Sequence, residues 1–190
     1  MSESTARIVS SDDDALILVD ADDAEIGSLS KAECHVGAGI LHRAFSVFLF
    51  DEQGRLLLQQ RAAGKRLWPL YWSNTCCSHP RHGESIDEAA GRRLHDELHT
   101  HADLEFVYKF VYHASFDNLG SEHELCHVFL GTIGDQPVAN DTEIAAIKYL
   151  SAAELNREFE TNGDAYTPWF RMEWQRLTGE FAAVLARYAT

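Results

Sequence analysis

The amino-acid sequence predicts an α+β fold in which a mixed or antiparallel sheet is flanked by helices. Three observations support this class: apolar extended runs come early in the chain, alternating segments follow, and amphipathic helical patterns close it. A chain of 190 residues can bury its own core, so we expect a single domain over residues 1–190. Residues 1–14 are largely polar and acidic, and we expect them to form a loose tail.

Six segments have the length and pattern of β-strands. They are residues 15–20, 42–50, 55–61, 106–116, 122–132 and 144–150. Between the second and the third, Asp51 to Gly54 forms a polar loop that contains a glycine. This loop predicts a β-hairpin.

Three segments are predicted to be helices: residues 85–99, 151–160 and 168–188. The first has the clearest start, because Ser85 and Glu88 have the spacing of a capping box. Its apolar side chains recur every four residues. They predict a buried stripe made of Ile86, Ala90, Leu94 and Leu98.

The composition limits the possible partners and the compartment. With 16 basic and 30 acidic residues, the net charge of −14 disfavours binding to nucleic acid or to an anionic membrane surface. No run approaches the ~18 apolar residues of a membrane span, and no secretory signal is visible. The four cysteines include the adjacent pair Cys76 and Cys77, whose mutual disulfide would be strained. We therefore expect a reducing, cytoplasmic setting.

The positive charges are concentrated in two short segments. They are Arg55, Arg61, Lys65 and Arg66 in the first, and Arg81, Arg92 and Arg93 in the second. Such a concentration in an acidic chain can form a local pocket for an anionic small molecule. The excess of acid elsewhere is the ordinary means of keeping a protein soluble.

A thiol and an imidazole lie close together just before the first predicted helix. Cys77 is a candidate proton-transfer group, and His79 is a candidate metal ligand. On the helix itself, Arg93 and Glu97 are one turn apart and could present a cation to a phosphate and a carboxylate to its divalent ion. The alternative is an exposed ion pair of small energetic value.

A second candidate site lies on the strand 122–132. Glu122 and Glu124 are two residues apart, so an extended backbone directs both carboxylates to one face, with Cys126 following on the same side. Two adjacent carboxylates require a proton or a cation between them. The histidines that could complete a metal site are His35, His42 and His79. The plain alternative is a solvated pair of acids on an edge strand.

A third interpretation is a structural zinc site. Cys77, His79, Cys126 and His127 together offer two thiolates and two imidazoles. Their spacing matches no zinc ribbon or finger, and strand alternation directs Cys126 and His127 to opposite faces.

The first helix segment resembles a Nudix box, which reads Gly, five residues, Glu, seven residues, Arg-Glu, an apolar residue, one residue, Glu-Glu. The matching positions are Glu84, Arg92, Leu94 and Glu97. The departures are Ser78 for the first Gly, and Arg93 and Asp96 each for a Glu. Hydrolysis by Nudix proteins uses several carboxylates to hold metals, so this partial loss argues against ordinary hydrolysis and for other chemistry on a diphosphate.

A set of short motifs extends over residues 31–169. They are Leu41–Ser46, Leu67–Pro69, Tyr71–Asn74, Cys77–Pro80, Gly83–Ser85, Glu122–Cys126 and Thr167–Trp169. In these motifs the chain resembles the type I isopentenyl-diphosphate isomerase branch of the Nudix fold. The family has Cys-Gly-His-Pro where this chain has Cys-Ser-His-Pro. We do not expect this change to remove activity.

The resemblance implies interconversion of isopentenyl and dimethylallyl diphosphate in isoprenoid biosynthesis, through a tertiary carbocation. The family's catalytic cysteine falls on Cys77, its catalytic glutamate on Glu124 and its assisting tyrosine on Tyr112. An unactivated alkene needs an acid on one face, a base on the other and a dry pocket, which agrees with these residue types.

The resemblance also implies two metal ions and a diphosphate site. The first ion, zinc or manganese, falls on His35, His42, His79, Glu122 and Glu124. The second, Mg²⁺, is bound by Glu97 and the substrate diphosphate, with the backbone carbonyl of Cys77 as a further ligand. The substrate contacts fall on Lys31, Arg61, Lys65, Arg93 and Trp169.

Two other functions remain open on sequence grounds. One is a Nudix hydrolase of a diphosphate substrate, and the other is a non-catalytic binding module stabilised by zinc. The sequence does not predict the oligomeric state.

Overall fold

The computed structural model describes residues 8–189. Its strands are β1 (Ala15–Val19), β2 (Glu25–Ser30), β3 (His42–Phe50), β4 (Leu56–Arg61), β5 (Trp72–Ser73), β6 (Cys76–Ser78), β7 (Leu104–Phe116), β8 (Gly120–Thr132) and β9 (Ile144–Leu150). Its helices are α1 (Lys31–Cys34), α2 (Ile86–Leu98), α3 (Ala152–Asn162), α4 (Pro168–Thr178) and α5 (Ala182–Leu185), with a 3-10 turn at Gly163–Ala165. The predicted α+β class, with a mixed sheet flanked by helices, is confirmed.

Strand β3 lies at the centre of the sheet. It runs parallel to β8 and antiparallel to β6, while β8 also pairs with β7 in a long antiparallel hairpin. Strand β4 pairs mainly with β9. The predicted β3–β4 hairpin therefore closes only at its turn, where Phe50 faces Leu56, because β8 and β6 pair with the rest of β3.

Both faces of β3 are buried, which fits a strand at the centre of a layered domain. On one face, Phe48 packs in a core with Phe170 of α4. On the other, Phe45 lies in a second core with Ala90 and Leu94 of α2. The sheet is thus enclosed between α2 on one side and α3 with α4 on the other.

Helix α2 begins as the sequence predicts. The Ser85 hydroxyl accepts a hydrogen bond from the Glu88 amide at 3.3 Å, and the Glu88 carboxylate accepts one from the Ser85 amide at 3.0 Å. This is the capping box that the spacing indicated. The helix ends at His99, which adopts a left-handed conformation with φ of 50°.

The last predicted helix is wrong in its extent. Residues 168–188 form two helices, because α4 ends at Thr178 and the chain bends at Gly179, whose backbone is not helical. The sequence also did not predict β2, β5, β6 or α1, which span two to six residues each. Elements this short leave too few residues for a periodic pattern to show.

The N-terminal segment differs from the expected loose tail where it is described. Residues 1–7 lie outside the described part of the chain, but Val9 is buried and its carbonyl accepts a hydrogen bond from Arg93 at 2.7 Å. The Ser10 hydroxyl is 2.5 Å from Lys31 Nζ, and Asp14 pairs with Arg81 at 3.2 Å. These contacts fix residues 9–14 beside the candidate site. Within residues 8–189, none of the helices is long and apolar enough to cross a membrane.

Candidate active site

All of the predicted site residues except the fully buried His42 line one cavity of about 460 Å³ beside the central strands. Residue pairing explains the convergence: His42 at the start of β3 lies opposite Glu124 of β8, and Cys77 of β6 lies opposite Ser46 of β3. Helix α1 and the segment after β6 bring His35 and His79 to the same place. The predicted shared face of Glu122 and Glu124 is present, since both line the cavity.

Three histidines and two glutamates form a compact cluster. They are His35, His42, His79, Glu122 and Glu124, whose ligand atoms lie within 4.8 Å of one another. All are buried except His79, which is partly exposed. Mixed nitrogen and carboxylate ligands at this spacing are typical of a divalent transition-metal site.

The hydrogen bonds around this cluster leave lone pairs directed into it. His35 Nδ1 donates to the Lys31 carbonyl at 2.6 Å, and His42 Nδ1 donates to the Ile40 carbonyl at 2.7 Å. Because a carbonyl only accepts, the proton of each neutral ring lies on Nδ1 and the Nε2 lone pair is available. Among the described residues, the buried atoms His42 Nε2 and Glu122 Oε2 have no hydrogen-bond partner. The cluster therefore fits a divalent metal ion.

The contact between His35 and Glu122 also indicates a metal site. Their Nε2 and Oε2 atoms are 2.6 Å apart, but without the angles of a hydrogen bond. Burial disfavours the charged form of His35, yet the charge of Glu122 outweighs it and raises the pKa of the ring. Two acceptor atoms this close require a proton or a cation between them.

Glu124 belongs to the His/Glu cluster and also contacts Tyr112. Its Oε1 accepts a hydrogen bond from His79 Nε2 at 2.8 Å, and its Oε2 accepts one from the Tyr112 hydroxyl at 2.6 Å. Burial opposes ionisation of Glu124, but the neighbouring imidazoles of His42 and His79 outweigh it and hold its pKa well below the usual range. Burial and the nearby carboxylate raise the pKa of Tyr112 well above its usual value. Glu124 is thus an ionised carboxylate that accepts a hydrogen bond from the Tyr112 phenol.

The two adjacent cysteines have different environments. Cys76 is fully buried on the α2 side, where its thiol donates to Glu97 at 3.6 Å. Cys77 lines the cavity, with its Sγ 4.0 Å from the Ser73 hydroxyl. Burial raises the pKa of the Cys77 thiol to about 12, although Arg61 partly opposes this shift. The Cys77 thiol is therefore protonated at neutral pH.

The four predicted diphosphate cations also line this cavity. They are Lys31, Arg61, Lys65 and Arg93. Arg93 and its partner Glu97 are buried and 2.6 Å apart, so the alternative of an exposed ion pair is wrong. Arg61 donates to the carbonyls of the segment after β4 and lies 5.3 Å from the Trp169 ring.

The structural zinc interpretation finds no support among the described residues. Cys126 donates to Glu173 at 3.4 Å, whereas His127 pairs with Asp23 at 2.8 Å on the opposite face of β8. Cys77 and His79 therefore do not share a four-ligand site with Cys126 and His127.

Three residues of this region were not predicted from the sequence. Glu143 lines the cavity and pairs with both Lys65 and Arg93. Gln59 donates to Glu97 at 3.4 Å, and Glu173 is a fully buried acid that accepts a hydrogen bond from Cys126. For Glu143, the preceding Asn140 was an available turn signal, but nothing local showed where the turn would lie.

The chain is similar to known proteins over most of its length. A family model described as the NUDIX domain matches residues 40–170. The isopentenyl-diphosphate Delta-isomerase of Nocardia farcinica is 46% identical over 153 residues, covering 80% of this chain and 87% of the relative. That of Serratia proteamaculans is 45% identical over 158 residues, covering 83% and 88%.

Solved structures agree in fold. A Deinococcus radiodurans protein has a TM-score of 0.66 at 19% identity and covers 92% of this chain and 98% of its own. A MutT Nudix hydrolase of Burkholderia pseudomallei has a TM-score of 0.57 at 15% identity, covering 72% and 98%.

Proposed function

We propose, since this chain belongs to the isopentenyl-diphosphate Delta-isomerase family of Nudix-domain proteins, that it interconverts isopentenyl and dimethylallyl diphosphate. The observation that carries the proposal is the pairing of groups in one cavity. A carboxylate joined to a phenol, Glu124 with Tyr112, shares this cavity with the Cys77 thiol. An alkene isomerase requires two such proton-transfer groups.

The reaction moves one proton onto the substrate and another off it. In the forward direction, the Glu124–Tyr112 pair delivers a proton to the terminal alkene carbon, which leaves a tertiary carbocation. Cys77 then accepts the proton from C2, and the electron pair of the broken C2–H bond forms the new double bond. The reverse direction exchanges the two roles, as microscopic reversibility requires.

The protonation states of Cys77 and Glu124 define one starting point for the reaction. The raised pKa of Cys77 keeps its thiol protonated, and the lowered pKa of Glu124 keeps its carboxylate ionised. With the proton on Cys77 and the Glu124 carboxylate free to accept one, the protein can begin the conversion of dimethylallyl to isopentenyl diphosphate. The forward conversion begins when the proton resides on the Glu124–Tyr112 side.

The aromatic side chains around Trp169 support a role in stabilising a carbocation. Trp169 is buried, its ring lies 6.3 Å from Tyr112, and Trp68 contacts it edge to face at 5.1 Å. The negative faces of aromatic rings attract a cation, and their apolar surface excludes water that would otherwise capture it. We assign Trp169 to this role.

The His35, His42, His79, Glu122 and Glu124 cluster would hold one zinc or manganese ion. When bound, this ion supplies positive charge that orients Glu124 and stabilises its carboxylate. Glu97, with the Cys77 carbonyl, would bind Mg²⁺ together with the substrate diphosphate. Lys31, Arg61, Lys65 and Arg93 bind the diphosphate itself.

The carboxylates of the Nudix-box segment support isomerisation rather than hydrolysis. Glu84 forms a two-bond pair with Arg92 at 2.6 and 2.8 Å, and Glu97 pairs with Arg93. Arg92 therefore occupies Glu84, and Arg93 stands where the Nudix box has a glutamate, so the carboxylate–metal array that hydrolysis would use is reduced. We further propose that the protein acts as one domain in the cytoplasm on a small diphosphate.

The test is to incubate the protein with isopentenyl diphosphate and Mg²⁺ and to follow proton and phosphorus NMR spectra. An isomerase produces the two methyl signals of dimethylallyl diphosphate while the diphosphate signals persist. Release of phosphate or of a monophosphate without new methyl signals would instead identify a hydrolase.

A further inference from the structure

We propose that Glu143 is a positioning residue for the diphosphate subsite, which holds Lys65 and Arg93 in their binding arrangement through one shared carboxylate oxygen. This inference rests on the proposed function, because that function makes Lys65 and Arg93 diphosphate ligands. Glu143 itself is assigned no contact with the reacting carbons.

The first observation is the side-chain geometry. Glu143 Oε2 accepts a hydrogen bond from Lys65 Nζ and a second from Arg93 Nη2 at 3.0 Å. Glu143 and Arg93 are almost completely buried, at 4% and 3% exposure, so water does not screen their attraction. Two cations that would otherwise repel each other are thus held side by side at the cavity wall.

The second observation is the backbone position of Glu143. Its carbonyl accepts a hydrogen bond from Ala62 at 2.9 Å, in the segment that leads to Lys65. The turn that begins at Asn140 is attached to the end of α2, since the Asn140 amide donates to the Glu97 carbonyl at 2.8 Å. Glu143 therefore joins the two segments that carry the cations, through its backbone as well as its side chain.

The third observation is how Arg93 uses its donors. A guanidinium has five N–H groups. In Arg93, the Nε hydrogen and one Nη2 hydrogen are donated to the Glu97 carboxylate, and the other Nη2 hydrogen is donated to Glu143. One Nη1 hydrogen is donated to the Val9 carbonyl. These contacts fix the plane of the guanidinium. Among the described residues, one Nη1 hydrogen remains for a diphosphate oxygen, in a direction that Glu97 and Glu143 together determine.

The test measures binding of inorganic pyrophosphate with Mg²⁺ by titration calorimetry, which requires no isomerisation. Glu143→Gln keeps the shape of the side chain but removes its charge, and we expect Kd to rise about tenfold, the loss typical of one charge-assisted hydrogen bond. Glu160→Gln is the matched control, because Glu160 is exposed on α3 and its loss changes the net charge equally. Its Kd should equal that of the parent.

Two further measurements separate positioning from a general structural role. In turnover of isopentenyl diphosphate, Glu143→Gln should raise KM much more than it lowers kcat. In a double-mutant cycle with Lys65→Gln, the combined loss of pyrophosphate affinity should be smaller than the product of the single losses, because the two residues act together. A Kd for Glu143→Gln equal to or below that of the parent, or fully independent losses in the cycle, would overturn the proposal.

If Glu143→Gln does not fold, Glu143→Asp replaces it. Asp keeps the charge but is shorter, so it reaches Lys65 and Arg93 less well. Glu143→Asp should therefore raise Kd, but by less than the tenfold expected for Glu143→Gln. An affinity equal to that of the parent would count against a positioning role. Failure of the proposed function has a different signature. The parent would then bind pyrophosphate and respond to these variants, but would produce no dimethylallyl diphosphate.

Discussion

At the scale of single residues, hydrogen-bond partners fix the positions of protons on two metal-ligand candidates and on Tyr112. Carbonyl acceptors keep the protons of His35 and His42 on Nδ1, and Tyr112 donates to Glu124. Cys76 and Cys77 differ because side chains alternate along β6: only Cys77 lines the cavity, whereas Cys76 contacts Glu97. The family resemblance, and not strand parity, carried these roles at the level of sequence, because the sequence did not predict β6.

Glu173 gives a prediction at this scale. It is completely buried, and burial raises its pKa to about 8 from an ordinary value of 4.5, with Ser46 and Cys126 opposing only part of the shift. Above pH 4.5 the unfolded chain loses this proton while the folded protein keeps it, so the parent loses stability as pH rises towards about 8. Glu173→Gln removes this component.

We therefore expect Glu173→Gln to gain free energy of unfolding relative to the parent as pH rises, by about 2 kcal/mol between pH 5 and pH 7. Urea unfolding across this pH range measures the difference. Glu160→Gln serves as the control, because its side chain is exposed. A difference between parent and Glu173→Gln that stays constant with pH would show that Glu173 is ionised in the folded protein.

At the scale of elements, α2 is the part of the fold that was best predicted and that matters most for the site. It positions Arg93 and Glu97 on the stripe next to its buried face, and its first turn is closed by the Ser85 capping box. Long-range pairing was less visible. The sequence predicted β3 and β8 separately, but not that they run parallel, because their pairing depends on contacts about 80 residues apart.

Ser85→Ala should lower the free energy of unfolding by about 1 kcal/mol, because the Glu88 amide loses its acceptor at the start of α2. Ser85→Thr keeps the hydroxyl and should remain close to the parent. Denaturant unfolding of the two variants provides the comparison. Equal losses for Ala and Thr would mean that the capping hydrogen bond contributes little to stability.

At the scale of the whole molecule, the site is assembled from segments distant in the chain. Metal-ligand side chains come from α1, β3, β8 and the segment after β6, and residues 9–14 fold back onto Lys31 and Arg93. The resemblance allowed the metal ligands to be predicted from sequence. The contribution of the N-terminal segment and of Glu143 could not be, because both depend on how loops meet in three dimensions.

This assembly predicts that the bound metal stabilises the entire domain. Removing it with a chelator leaves two neighbouring carboxylates, Glu122 and Glu124, and buried imidazoles without a cation. The thermal unfolding midpoint should fall, and zinc or manganese should restore it, since an ion at about 1,000 times its Kd contributes about 4 kcal/mol.

His42→Ala is the matching variant for the chelator experiment. It removes a fully buried ligand and should respond less to chelation than the parent. Differential scanning fluorimetry with metal analysis measures both effects. A parent whose midpoint does not change when its metal content falls to zero would contradict a stabilising role for the cluster.

The central claim is that two groups transfer protons at two different carbons, with Cys77 acting at C2. It is tested most directly by proton NMR of isopentenyl diphosphate with Mg²⁺ in heavy water, with the parent and Cys77→Ala measured in parallel. The parent should form dimethylallyl diphosphate carrying deuterium in the new methyl group and exchange the C2 proton, whereas Cys77→Ala, folded and metal-loaded, should form no product. Absence of an allylic methyl signal with the parent, or unchanged turnover by Cys77→Ala, would contradict it.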